Sequence, residues 1–225
     1  MEIVQIICLE EPIIARLTEI KGDFPQLNKA ILSSVVDVNT DLLKFLNNEF
    51  DFFIDFNHQT AVPIENLYES KETLGLDRLA AAVGGITLFP EKNLLVIDAG
   101  TAITFDLIDS DHRFLGGNIS PGLKMRFKAL HEFTKKLPET EPADLWSDIG
   151  KTTAEAIKAG VQNGVIFEID GMIDHVRNSW PGCQIILTGG DCLFFDKKLK
   201  NTIFVKFEIT LIGLNRILEY NAEKN

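Results

Sequence analysis

The sequence predicts an α/β protein of two domains. Apolar runs of strand length alternate with amphipathic helical stretches in the first part of the chain. The second part opens on an antiparallel meander, and glycine turns recur at its strand ends. The boundary is placed near Pro90, between residues 1–90 and 91–225, with no sequence repeat across it.

In the first part, Ala30–Val36 ("AILSSVV") reads as a buried strand. "DVNTDLLKFLNNEF" supplies a helix with Leu42, Leu43, Phe45, Leu46 and Phe50 on its apolar face. "DFFIDF" reads as a further strand and "NHQTAVPIENLYES" as turns. Over Leu74–Phe89 the stripe Leu76, Leu79, Ala80, Val83 and Ile86 marks a helix. Its small residues Ala80–Ala82, Gly84 and Gly85 predict close backbone approach to a neighbour. "PEKN" then punctuates.

In the second part, "LLVID" and "ITFDLI" are strands, "DSDHR" is a tight turn and "FLGGNI" completes the meander. "SPG" breaks it, and a basic helix runs from Leu123 to about Lys136. A long helix starts near Thr152, which has capping-box spacing to Glu155. Ile166, Ile169, Ile173, Val176 and Trp180 step along it by three and four. "QIILTGGDC" is a strand running into a glycine turn, and "LIGLNRILEY" an amphipathic helix.

The chain has 225 residues, 45% hydrophobic and 24% charged, and a net charge of −11. That charge argues against nucleic-acid binding, which needs a basic surface. An anionic small ligand would need locally focused positive groups. Cys8, Cys183 and Cys192 sit in apolar surroundings and are expected to be buried, reduced thiols, as suits a cytoplasmic protein. The apolar run Ile3–Leu9 meets Glu10 and Glu11 without a preceding basic residue, so it makes a poor signal peptide. No segment approaches the ~20 apolar residues of a membrane span.

Three stretches could carry chemistry. In "NLLVIDAGTAITFDLI", Gly100 and Thr101 at a strand–turn–strand bend let N–H groups and a hydroxyl face a phosphate. Asp98 at the strand end could hold a cation or a water. A plain hairpin turn explains the same residues. "GGNISPG" and "LTGGD" add strand-end glycines in the same half, as nucleotide sites do, although "TGGD" alone is also a simple turn. In "LYESKETLGLDR", Gly75 precedes a helix start, placing Asp77 and Arg78 in its first turn. Arg78 could bind a small carboxylate and Asp77 accept a hydroxyl proton; Asp77 could equally just favour the helix dipole.

Taken in order, Y-x6-LG-x-DR, DAGTA-x-T, GG-x-I-x-PG, T-x-x-AI and TGGD resemble the type III pantothenate kinases, of the acetate kinase/actin-like ATPase superfamily. The resemblance runs from about Ser33 to the C-terminal "GLNRILEY". It implies two ribonuclease H-like domains with ATP between them, a homodimer, and phosphorylation of pantothenate to 4'-phosphopantothenate at the start of coenzyme A synthesis. It further implies Asp77 as the general base, and Tyr68, Gly75, Arg78 and Thr153 on pantothenate. Gly100, Thr101 and Thr104 would lie on the ATP phosphates, Gly189 and Gly190 on the adenosine side. Asp98 would sit beside a monovalent cation (K+ or NH4+), with Mg2+ on the nucleotide. Thr152 rather than Thr153 is expected to cap the helix. The family's pantothenate-contacting histidine has no secure match; His131 reads better as an exposed helix residue.

The family begins with a strand and a D-x-G-N-T turn, whereas this chain opens "MEIVQIICLEEPIIARLTEI". "SDIGKTT" (Ser147–Thr153) imitates that turn, but "ETEPADLW" before it is no strand and reads as a loop into a helix. The first domain is therefore expected to be N-terminally shortened by one β-hairpin, which would weaken ATP and magnesium binding. A non-catalytic, regulatory relative of the kinases is the alternative that this departure favours. A sugar or acetate kinase of the superfamily is a third, opposed by "TLGLDR".

Overall fold

The computed structural model describes residues 13–34 and 36–224. The run Ile3–Leu9, with Cys8, lies outside the described residues. Two compact units are present: residues up to Ala61 together with Leu218 onward, and Val62–Ile217. The boundary expected at Pro90 falls inside the second of these.

The first unit holds α1 (Ile13–Asp23), β1 (Lys29–Leu32), α2 (Thr40–Glu49) and β2 (Phe52–Asp55). β1 and β2 pair in parallel, Lys29 opposite Phe52. The expected strand over Ala30–Val36 ends at Leu32. Beyond it the Ser34 hydroxyl donates to the Val36 carbonyl at 2.7 Å, a local turn that replaces the ladder. The Asn39 side chain caps α2 by accepting from the Asp41 N–H at 2.8 Å.

The second unit is a six-stranded mixed sheet with helices on both faces. Its elements are β3 (Glu65–Asn66), a 3-10 turn (Lys71–Thr73), α3 (Leu76–Leu88), β4 (Leu94–Ala99), β5 (Ala102–Ile108) and β6 (Arg113–Pro121). After these come α4 (Leu123–Glu132), α5 (Thr153–Ser179), β7 (Gln184–Thr188), α6 (Cys192–Asp196), β8 (Phe204–Val205) and the start of α7 (Ile209–Ala222). The strand order is β3-β6-β5-β4-β7-β8. β4, β5 and β6 form the expected antiparallel meander, while β7 joins β4 in parallel. The fold is thus the mixed α/β class that the sequence predicts.

Alternation along the strands separates two faces. Leu95, Ile97, Ala99, Ile103 and Phe105 form the core against Val165, Ile169 and Ile173 of α5. α5 begins with the expected capping box: Thr152 accepts from the Glu155 N–H, and Glu155 accepts from the Thr152 N–H. The opposite face of β4 and β5 packs on α3, where every residue from Arg78 to Ile86 is buried. The small residues have the predicted use. A Cβ on Gly84 would overlap the Ile209 carbonyl, and one on Gly213 of α7 the Ala80 carbonyl.

α4, expected to reach Lys136, ends at Glu132. Pro138 disfavours helical backbone at Leu137, and the Leu137 N–H turns back to Thr134 Oγ1 at 3.3 Å. Residues 138–150 form the expected loop. It is tied to α5 by the buried Gln162, whose amide exchanges hydrogen bonds of 2.8 and 3.0 Å with the backbone of Ala143. Cys183 and Cys192 are free and buried, and burial pushes the Cys183 thiol up to about 11. No helix among the described residues is long and apolar enough to cross a membrane.

Candidate active site

Gly100 and Thr101 are the two-residue bend between β4 and β5, as their sequence position requires. The Gly100 N–H donates to the Ala102 carbonyl at 3.0 Å. Gly122, the residue before α4, donates its N–H to the Thr101 carbonyl at 3.0 Å. A Cβ there would overlap the carbonyl oxygens of both Gly100 and Thr101, so only glycine lets the start of α4 close on the bend. From the other side Gly189 approaches in a positive-φ conformation (φ +92°), where a Cβ would overlap the Asp98 carboxylate and Ala99. The Asp191 N–H then donates to the Ala99 carbonyl at 2.9 Å.

Around this junction lies a cleft of about 380 Å³ lined by Gly100, Thr101, Lys124, Met125, Gly190 and Asp191. Lys124, in the first turn of α4, is the one cation lining it among the described residues. Burial raises the Asp191 carboxyl, and the Lys124 charge counteracts that rise.

Asp98 is the next-to-last residue of β4, opposite Thr104 of β5. Burial, then the charges of Asp77 and Asp106, raise its carboxyl to about 6. No hydrogen-bond donor among the described residues offsets that rise. Among those residues no group of three or more His, Cys, Asp or Glu side chains is arranged to hold a metal. A magnesium ion bound mostly through phosphate oxygens and water needs only one or two carboxylates, and Asp98 has the donor chemistry for that.

Asp77 sits at the exposed start of α3, which follows Gly75 as expected. Its Oδ1 accepts from the Arg78 N–H at 2.9 Å, taking one of the free donors of the first turn. A Cβ on Gly75 would overlap that same oxygen. Arg78 points inward instead. It is 6% exposed and pairs with the 1% exposed Asp106, Nε to Oδ1 at 3.0 Å and Nη2 to Oδ1 at 2.5 Å. Its guanidinium carbon lies 5.6 Å from the centre of the Tyr68 ring and 5.8 Å from that of Phe114.

Tyr68, Gly75, Asp77, Arg78 and Asp98 thus gather on the α3-facing side of the sheet, with Gly100, Thr101, Gly189 and Gly190 at its edge. Thr104 is on the same face but directs its hydroxyl to Asp106 Oδ2 at 3.3 Å. Thr153 lies elsewhere, in a groove of about 700 Å³ between α4 and α5 that also holds Leu130, Phe133, Leu137 and Ile157. His131 is exposed, its Nδ1 3.0 Å from the Leu137 carbonyl. The sequence reading missed Asp106 and Lys124. For Asp106 a signal existed: an acid in the buried strand "AITFDLI" and a base in the apolar helix "LDRLAAAV" each need a partner.

The chain matches a family model described as type III pantothenate kinase over residues 12–175. A type III pantothenate kinase of Bacteroides fragilis is 47% identical over 195 residues, 87% of this chain and 80% of the relative. One from Flavobacterium johnsoniae is 42% identical over 211 residues, 93% of this chain and 86% of the relative. A solved structure from Campylobacter jejuni, described as a Baf family transcriptional activator, superposes with a TM-score of 0.57. It is 24% identical and covers 84% of this chain and 82% of its own, a likeness of fold alone.

Proposed function

Because the chain belongs to the type III pantothenate kinase family, we propose that it transfers the γ-phosphoryl group of ATP to the primary hydroxyl of pantothenate. The products are 4'-phosphopantothenate and ADP, and the reaction opens coenzyme A synthesis. The observation that carries this is the gathering of Asp77, Arg78 and Asp98 on one sheet face beside the Gly100–Thr101 bend.

Phosphoryl transfer asks mostly for positioning and charge neutralisation, with one group to receive the hydroxyl proton. Asp77, carboxylate fixed at a helix start and open to solvent, receives that proton as the hydroxyl oxygen bonds to the γ-phosphorus and ADP departs. Arg78, flanked by Tyr68, holds the substrate carboxylate. The bend of Gly100 and Thr101, with Lys124 across the cleft, faces the phosphates, and Gly189 and Gly190 border the nucleoside. Asp98 would hold magnesium with the nucleotide, and a monovalent cation (potassium or ammonium), which neutralise the phosphates when bound.

The enzyme works as a homodimer, and the apolar groove between α4 and α5 supports that reading. It acts in the cytoplasm, where free, buried Cys183 and Cys192 are at home. Incubation of the chain with ATP, magnesium, potassium and pantothenate, read by mass spectrometry, should yield 4'-phosphopantothenate. ATP left intact, or hydrolysed without a phosphorylated pantothenate, would contradict the proposal.

A further inference from the structure

Arg78 offers five N–H donors in a plane. Asp106 takes one edge of that plane through Nε and Nη2, and the Tyr68 hydroxyl lies within hydrogen-bonding reach of the guanidinium. Thr104 Oγ1 steadies the other oxygen of Asp106 at 3.3 Å. Gly117 faces Asp106 across the β5–β6 ladder. A Cβ at Gly117 would stand 2.5 Å from Asp106 Oδ1 and 2.9 Å from Arg78 Nη2, so only glycine lets β6 close over the pair. With the rings of Tyr68 and Phe114 neighbouring each other at 6.1 Å on one side of it, the guanidinium is held at its edge and backed by aromatic surface.

An arginine anchored this way has lost its rotational freedom before any ligand arrives, so a carboxylate that meets it pays little ordering entropy. The negative charge of Asp106 also offsets part of the arginine's attraction. What Asp106 contributes is therefore direction rather than extra Coulomb energy.

We propose that Asp106 is a positioning residue that fixes the Arg78 guanidinium by its Nε–Nη2 edge beside Tyr68 and Phe114. In doing so it sets the preference for a substrate carboxylate over a neutral group. This rests on Arg78 as the holder of the pantothenate carboxylate. A merely structural ion pair would influence stability and overall rate, but not the choice between an acid and its amide.

The test measures kcat/KM for pantothenate and for pantothenamide, which keeps the hydroxyl and lacks the charge. It uses the wild type and the variants Arg78→Met, Asp106→Asn and Asp106→Glu, with the KM for ATP as control. Arg78→Met and Asp106→Asn should each reduce the preference for the acid by about tenfold or more, with the KM for ATP unmoved. If Asp106→Asn keeps or sharpens the preference while Arg78→Met loses it, the role of Asp106 is overturned and that of Arg78 stands. If Arg78→Met keeps the preference, the reading of Arg78 fails and takes this inference with it. Should Asp106→Asn not fold, Asp106→Glu decides, since it retains the charge but displaces the guanidinium by one methylene. An unchanged preference in that variant overturns the proposal.

Discussion

Asp98 stays ionised at neutral pH against burial and against two neighbouring carboxylates. Moving a carboxyl from 3.8 to about 6 corresponds to on the order of 3 kcal/mol of folding stability. The sign follows from proton binding. Between those two values the folded state holds more protons than the unfolded one, so this group lowers stability most above pH 6. The deficit shrinks as the pH falls toward 4. Asp98→Asn should therefore melt higher than the wild type at pH 8 without ligands, with the gain fading toward pH 4, as thermal melts at both pH values would show. The same variant should lose its response to potassium, because the site needs the charge that makes it unstable. The position of Asp98 near the end of an apolar strand, before a glycine turn, was legible from the sequence, although a plain hairpin turn explained the same residues. Asp106 was legible only as a buried acid in need of a partner; that the partner is Arg78, 28 residues away, a single strand does not reveal.

At the scale of elements, the turns around the cleft depend on glycines of unequal kind. Gly189 combines φ +92° with overlap onto Asp98 and Ala99, whereas Gly190 has nothing within 4 Å of an added Cβ. Gly189→Ala should destabilise by about 1–3 kcal/mol, the range of a strained backbone position, and weaken ATP binding with it. Gly190→Ala should stay within about 0.5 kcal/mol of the wild type. Urea melts of the two variants side by side check the contrast. Elements with long periods or explicit caps were readable: the box of Thr152 and Glu155, the meander of β4 to β6, the stripe of α3. β3 and β8 have two residues each and α6 has five, too few for any period to show. α1 carries no acidic residue in its first turn and includes Gly22, so its start and stop signals are weak.

In the whole molecule, Asp77 at the start of α3 and the Gly100–Thr101 bend between β4 and β5 belong to the same compact unit. The α4–α5 groove, with Phe133 85% exposed at its rim, bears on assembly. Light scattering at micromolar concentration should report twice the chain mass, and Phe133→Asp should shift it toward the monomer; a wild-type monomer would contradict the dimer. The proposed proton transfer to Asp77 is separable from substrate binding in one variant. In Asp77→Asn the amide keeps the size and an oxygen acceptor for the Arg78 N–H, but is no base. Turnover should fall at least ~10²-fold, the usual worth of a general base, while calorimetry still detects pantothenate binding. Near-normal turnover in Asp77→Asn would contradict the account and remove Asp77 from the chemistry.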